Sequence, residues 1–531
     1  VTAILEGAAP QVRSERPVSA PTDEELYWYL GAQQRWVAFV MALAFLVVGI
    51  SLWQFSTRSP YLYPFLLFGA VNVVGAIAAL SVDLRRRRID RSDHWKLVSD
   101  WRPVARSVDI FLPTCGEDVA VLRNTYEHVA AIDWFGPVRI MVLDDAAREV
   151  VRELASEFGF EYVIRPNRGH MKKAGNLQHA YEVSGGDVVV IFDADFCPRA
   201  DFLRHLMPYL DEESVGIVQS PQVFDTHSGM NWIQRCAGAT QELFYRWVQP
   251  ARDKAGAPVC VGTNALYRRA ALDAIGGFPQ IEHSEDIHTG YGMMRHGYTT
   301  RYVPLVLAKG LCPDDMAAFL NQQYRWANGT IGTSPIGATV GGFKPSWTQR
   351  LAMFAGYMYY LTTAVNVFAI PLPAIIMALF FPQEVRAANY VPLFAGLWVY
   401  FVLLPRAFRA RWRPEVLRVQ MAYSFSHVVA YMDRLLRREA SWVPTGAVHG
   451  SNILARRIAR VAFGWLSLVE LAGVGAIVRD TYLYGAPRYW PLFVFAGFYL
   501  YIAVPMHIEA AKILRRERRI RREARRIGRD S

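Results

Sequence analysis

Two apolar runs in the sequence end in carboxylates, the groups that hold hard cations and accept protons. One reads Met141-Val142-Leu143-Asp144-Asp145, the other Val189-Val190-Ile191-Phe192-Asp193-Ala194-Asp195. Asp193 and Asp195 converge on one cation if the backbone turns between them, and oxygen ligands suit Mg²⁺ or Mn²⁺. A cation held there would neutralise a diphosphate and stabilise it as a leaving group. The competing reading is a solvated turn after a strand, which is common.

A second signal is Ser284-Glu285-Asp286, ahead of a helical stretch that ends near Gly297. Acids at a helix start are favoured by the helix dipole, which alone would explain them. The sharper reading makes Asp286 a general base that takes a proton from an attacking hydroxyl. A third signal is Gln322-Gln323-Tyr324-Arg325-Trp326. On a helix Gln322, Arg325 and Trp326 stand at i, i+3 and i+4 and share a face. Arg suits phosphate oxygens and Trp offers a flat apolar surface to a sugar ring. An amphipathic helix on a membrane surface would also use Trp and Arg.

Short β-rich runs alternate with helical patterns around these residues. Strands are expected at Val108–Leu112, Val138–Leu143, Tyr162–Ile164, Val188–Phe192 and Gly216–Gln219. Helices are expected at Val119–Ala130, Arg148–Phe158, Met171–Glu182 and Ala200–Tyr209. That alternation predicts a doubly wound, mostly parallel sheet, with ligands beyond the carboxyl ends of its strands.

The flanks are different in kind. Apolar runs occur at Val37–Trp53, Tyr61–Val82, Leu351–Phe381, Val391–Phe408, Val461–Val478 and Tyr489–His507. Six spans follow, with Pro371 and Pro373 kinking the long third one. The Arg clusters at Arg85–Arg88, Arg406–Arg413 and the C-terminal tail then fall on one side with both termini, the cytoplasmic side. Between the fourth and fifth spans Leu417, Met421, Phe425, Val428, Met432 and Leu435 recur at helical spacing, with Asp433 off that stripe. Such a helix lies in the membrane interface or packs on the soluble domain.

Hydrophobic residues make up 52% and charged residues 20% of the 531, too apolar for an ordinary cytosolic enzyme. Disorder and a small disulfide scaffold are excluded. The net charge is +11, concentrated after Lys512, so contact with an anionic lipid bilayer is favoured over nucleic acid. The five cysteines lack CxxC spacing and read as small buried apolar residues.

Taken in order, Asp144, the Asp193/Asp195 pair, Asp286 and QQYRW between apolar flanks resemble processive family 2 membrane glycosyltransferases, of the bacterial cellulose synthase kind. The resemblance runs from about Trp36 to His507. It implies a GT-A fold, an α/β domain with a mostly parallel sheet, inserted in an all-α membrane domain. It divides the chain into a cytoplasmic segment 1–36, membrane helices 37–82, a cytosolic GT-A domain 83–350 and membrane helices 351–408. An interfacial helix and gating loop would fill 409–450, membrane helices 451–511 and a basic cytoplasmic tail 512–531.

The same resemblance supplies roles. Pro113-Thr114-Cys115-Gly116-Glu117 matches the opening nucleotide loop, with Thr114 and Glu117 near the base and Asp144 on the uracil or ribose side. Lys173 would bind diphosphate, and Asp193 and Asp195 the donor and metal. Val261-Gly262-Thr263-Asn264 would be the acceptor-side loop. Asp286 would be the base with Glu285 beside it. Gln322 and Arg325 would support diphosphate and Trp326 would stack on the acceptor. Ser441–Gly446, with Trp442 and Thr445, occupies the gating-loop position. Tyr357 to Tyr360, Asn366 and Trp398 would line an export channel, or simply pack between helices. This chain departs from the cellulose enzymes in having Phe196 after the second Asp and Ala146-Ala147 after Asp144-Asp145.

The expected activity is processive, inverting β-glycosyl transfer from UDP-glucose with Mg²⁺ or Mn²⁺. It would build a cellulose-like β-glucan at the plasma (inner) membrane and export it, with accessory export proteins as further partners. Alternatives are a β-1,3- or mixed-linkage glucan or other polysaccharide synthase, a single-transfer enzyme acting on a lipid carrier, and a transporter or scaffold that has lost catalysis.

Overall fold

The computed structural model describes residues 17–30, 35–57, 60–84, 89–332, 345–385, 391–403, 406, 414–438 and 452–527. At its centre is β1 (Val108–Thr114), buried at every position and therefore an interior strand. It pairs in parallel with β2 (Val138–Asp144) and β4 (Val188–Ile191), in a register that sets Thr114 beside Asp144 and Phe111 beside Ile191. β3 (Glu161–Val163) adds in parallel outside β2. Beyond β4 lie β8 (Ala265–Arg268), β6 (Val215–Gln219) and β9 (Thr299–Tyr302). β8 is antiparallel to both its neighbours, while β6 and β9 are parallel. A smaller sheet joins β5 (Phe196–Pro198), β10 (Ala308–Gly310) and β7 (Val223–Phe224).

Alternation along each strand builds two cores. Val108, Ile110, Leu112, Val188 and Val190 face one way, and Phe111, Met141, Leu143, Val189 and Ile191 the other. Each such side chain gains about 1.5–3 kcal/mol from full burial. The doubly wound, mostly parallel sheet is therefore present, with strand ends within two residues of those expected. One helix differs. Ala200–Tyr209 is only helical over Phe202–Leu206, then tightens to a 3-10 turn, Met207–Asp211. Pro208 has no N–H with which to continue the α-helical ladder.

The rest of the chain is helical. Among the described residues four helices are long and apolar enough to cross a membrane: Pro60–Asp83, Trp347–Phe380, Ile453–Tyr484 and Tyr489–Ile520. Helix Arg35–Ser56 covers the first expected span, and helix Val391–Trp398 with the wider turn Val399–Leu403 begins the fourth. The long third run is one helix broken at Ile370. Pro371 offers no N–H to the Val367 carbonyl, and Trp465 Nε1 donates to that carbonyl at 3.0 Å instead. Asn72 and Asn366 exchange two side-chain bonds of 2.8 Å between helices Pro64–Asp83 and Trp347–Ala369. Asn366 is thus spent on helix–helix packing.

Two expectations are corrected. Helix Val416–Leu435 is not a simple amphipathic stripe, because every residue from Ala422 to Ala430 is buried. Met432 and Leu435 are on the outside, whereas Asp433 is inside. The helix packs on the domain helices Met316–Gly332 and Trp232–Leu243, one of the two placements expected, and also on helices Trp347–Ala369, Ile453–Tyr484 and Ala486–Ile527, which leaves no single apolar face. The second concerns the cysteines. Four are buried and free, but Cys115 is exposed in the loop after β1.

Candidate active site

The site forms where β1, β2 and β4 end. Because β8 runs the other way, the loop before it, Gly262–Asn264, arrives at the same edge. Asp193 lies two residues past β4, and its N–H donates to Thr263 Oγ1 at 2.9 Å. Lys173 Nζ, from helix Lys172–Val183, reaches Asp193 Oδ1 at 2.5 Å and the Gly262 carbonyl at 3.0 Å. Glu285 Oε1 is 3.9 Å from the same Nζ. Gly262 has φ +72°, and a Cβ there would stand 2.9 Å from Asp286 Cβ. Glycine is needed at this approach.

Asp286 is the second residue of helix Glu285–Arg295, which follows Ser284, whose φ is +61°. One Asp286 oxygen accepts the Ile287 N–H at 2.8 Å. Helix Met316–Gly332 crosses close behind, since a Cβ on Gly329 would collide with Ser284 Oγ at 2.1 Å. Ser284 Oγ donates to the Arg325 carbonyl at 3.1 Å. Asp193, Glu285, Asp286, Lys173, Gly262, Thr263 and Arg325 therefore meet at one place.

The electrostatics follow. Burial and the neighbouring Glu285 push the Asp286 carboxyl up to about 7, against the Ile287 N–H and Lys173. Burial, Asp193 and Glu117 likewise raise Asp195 to about 7. Burial favours the neutral amine of Lys173, but Asp193 and Glu285 outweigh it and hold the amine above the usual lysine value. Burial draws Arg325 below the usual arginine value, with Glu285, Asp193 and Asp286 opposing. Acids outnumber bases in the cleft, a deficit of positive charge that suits a cation. Among the described residues no group of three or more His, Cys, Asp or Glu is arranged to hold a metal ion. A cation on Asp193 and Asp195 would therefore take its remaining ligands from substrate phosphates and water, as Mg²⁺ commonly does.

On the β1–β2 side the geometry is tighter. Thr114 Oγ1 and the Cys115 N–H donate to Glu117 at 2.5 and 2.7 Å. Asp144 is fully buried, and its carboxylate accepts the N–H groups of Ala146 and Arg148 and the Tyr162 hydroxyl at 3.0, 2.7 and 3.0 Å. It organises the loop from beneath instead of facing the cleft. The sequence reading missed Arg165. Its buried guanidinium grips Asp145 at 2.7 and 2.8 Å and bonds to the carbonyls of His170 and Lys172. This clamps a turn in which Gly169, Met171 and Lys172 all have positive φ and from which Lys173 emerges.

Helix Met316–Gly332 carries QQYRW as expected. Gln322, Arg325 and Trp326 are half-buried, and Gln322 Oε1 is buried with no hydrogen-bond partner among the described residues. Trp442 and Thr445 lie outside the described residues.

Comparison with known proteins adds to this geometry. The chain is 32% identical over 324 residues to cellulose synthase 1 of Komagataeibacter xylinus, covering 60% of this chain and 20% of that protein. It is 33% identical over 266 residues to the UDP-forming cellulose synthase catalytic subunit of Xanthomonas axonopodis pv. citri (strain 306), covering 48% and 35%. The chain thus spans well under half the length of these curated relatives. Among solved structures, the mannosyltransferase PcManGT from Pyrobaculum calidifontis, in complex with GDP-Man and Mn²⁺, aligns with a TM-score of 0.48 at 19% identity. That alignment covers 71% of this chain and 99% of the other. The glucosyl-3-phosphoglycerate synthase of Mycobacterium tuberculosis aligns with a TM-score of 0.30 at 18% identity, covering 43% and 78%. The cellulose synthase-like character read from the motifs stands on the sequence relatives. The family whose description matches, over residues 70–420 and hence more than half of the sequence, is Glycosyl transferase family 21, and the chain belongs to that family of glycosyltransferases.

Proposed function

We propose that this glycosyltransferase carries glucose from UDP-glucose to the end of a growing β-glucan. We place it in the plasma membrane with the catalytic domain on the cytoplasmic side and the product leaving through the helical region. The observation that carries the reading is the meeting of Asp286 with Asp193, Lys173, Gly262 and Arg325 at one sheet edge.

Asp286 takes the proton from the acceptor hydroxyl, whose oxygen attacks the anomeric carbon from the side opposite the diphosphate. Inversion of an α-linked donor gives a β-linkage. Lys173 and Arg325 stabilise the departing diphosphate, a charge that grows only as the bond breaks. Asp193 and Asp195 would hold a divalent cation, Mg²⁺ or Mn²⁺, which supplies Lewis-acid stabilisation of the same charge. Thr114, Glu117 and the loop that Asp144 supports would cradle the base. Thr263 and Glu285 line the acceptor side, where Trp326 would stack on the sugar and Gln322 Oε1 awaits a donor. Trp442 and Thr445 are assigned to the loop over the donor on their motif alone. The basic tail would rest on anionic headgroups.

The test is incubation of membranes holding the protein with radiolabelled UDP-glucose, then digestion of the product with linkage-specific glucanases. A polymer cut by β-1,4-glucanase is expected. A product one sugar long on a lipid would replace polymerisation by single transfer, and no UDP release from any UDP-sugar would overturn the donor assignment.

A further inference from the structure

The QQYRW helix is held from two sides, and only one of them is the catalytic cleft. Ser284 Oγ bonds to the Arg325 carbonyl on the cleft side. On the other side, the neighbouring Tyr324 hydroxyl donates to Asp433 Oδ2 at 2.9 Å. Arg457 grips both oxygens of that carboxylate, Nη1 on Oδ2 at 3.1 Å and Nη2 on Oδ1. The Asp433 side chain is 1% exposed and Tyr324 is fully buried. We propose that Asp433, held by Arg457, is a positioning residue that sets the placement of Arg325 and Trp326 through the Tyr324 hydroxyl.

Three arguments support this. First, the carboxylate is in the last turn of helix Val416–Leu435, where the helix dipole disfavours a negative charge. Its presence there needs a compensating role. Second, the Asp433 carboxylate is taken out of water although its Arg457 partner stays 32% exposed; such a pairing is commonly no more stabilising than packed apolar side chains, and its best attested use is to fix one arrangement among several. Third, the pair joins residues 24 apart that sit near the end of one helix and the start of the next, Ile453–Tyr484. Both helices thereby take hold of the helix that carries the phosphate-side arginine. Backbone motion of that helix passes to Asp286 through Ser284 and the contact at Gly329. A shift of about 1 Å in such a group is enough to slow transfer by up to ~100-fold.

The kinetic readout rests on the transfer reading above, so the test has a second arm that does not. Full-length Tyr324→Phe keeps the ring and removes the hydroxyl. Its kcat is expected to fall about tenfold with KM for UDP-glucose within about twofold. Amide hydrogen exchange over residues 285–290 is expected to quicken about tenfold while the melting temperature stays that of the wild type. Wild-type kcat together with wild-type exchange would overturn the proposal, as would faster exchange throughout the chain with earlier melting, the mark of a merely structural role. If the Phe variant does not fold, Arg457→Lys keeps the charge, loses the two-pronged grip and is expected to shift both readouts in the same direction by less. Should the wild type transfer from no nucleotide sugar, the functional reading fails on that control, and the exchange arm still decides the role of Asp433.

Discussion

The two halves of the cleft solve different problems. At the ends of β1 and β2 the charged groups are consumed by the protein itself: Asp144 accepts three bonds, and Asp145 is locked to Arg165. Past the end of β4 and at the start of helix Glu285–Arg295 the carboxylates are recessed yet incompletely neutralised, and Asp286 and Asp195 have raised proton affinities. Satisfied polar groups rigidify a site, whereas unsatisfied ones store the electrostatic tension that chemistry relieves. The first half is a mould and the second a reactive surface.

Replacing a group on the reactive side is expected to cost activity and spare folding. Asp286→Asn should lower turnover by about 10²–10⁴-fold, the usual worth of a general base, while UDP affinity remains within reach of the wild type. Turnover and binding measured on the purified variant check this, and near-normal turnover removes Asp286 from the base role. On the moulded side the reverse is expected. Arg165→Ala leaves the Asp145 carboxylate buried without its partner and should destabilise the fold by about 3–5 kcal/mol, read by denaturant melting. A stable Arg165→Ala protein with wild-type donor affinity would erase the contrast between the halves.

The smallest effect is the pH response. Asp286 must be ionised to accept a proton, so turnover should fall about tenfold per pH unit below its raised value near 7, or below a lower value if a cation draws it down. Stability should move the opposite way. A carboxyl whose folded value is raised above its unfolded one contributes stability at low pH that is lost as pH rises through about 7. A rate profile flat from pH 5 to 8 with a parallel stability profile would contradict both.

Much of this was legible from the residues alone, because strand ends announce themselves by apolar runs that stop at carboxylates. Asp193 and Asp195 stand out on that basis, Asp286 as an acid at a helix start and Arg325 by its spacing from Gln322 and Trp326, and the structure gathers Asp193, Asp286 and Arg325 at one place. Arg165 carries no such mark and Asp433 shows only as a residue off an apolar stripe, since each has its charged partner 20 or more residues away in the sequence and no periodic signature. A hint exists for Asp433, the one acid in helix Val416–Leu435. Cys115 was misread because composition cannot tell a core thiol from one carried out by a loop.

The asparagine pair between the helices has a last consequence. Asn72 lies in the helix that ends at Asp83, and Asn366 in the one that begins at Trp347. The sugar-transferring unit is strung between these two helices, so its entry and exit strings are knotted together part-way along, away from the ends at Asp83 and Trp347. Sliding one string past the other by a residue would turn an amide away from its twin and tilt everything suspended below.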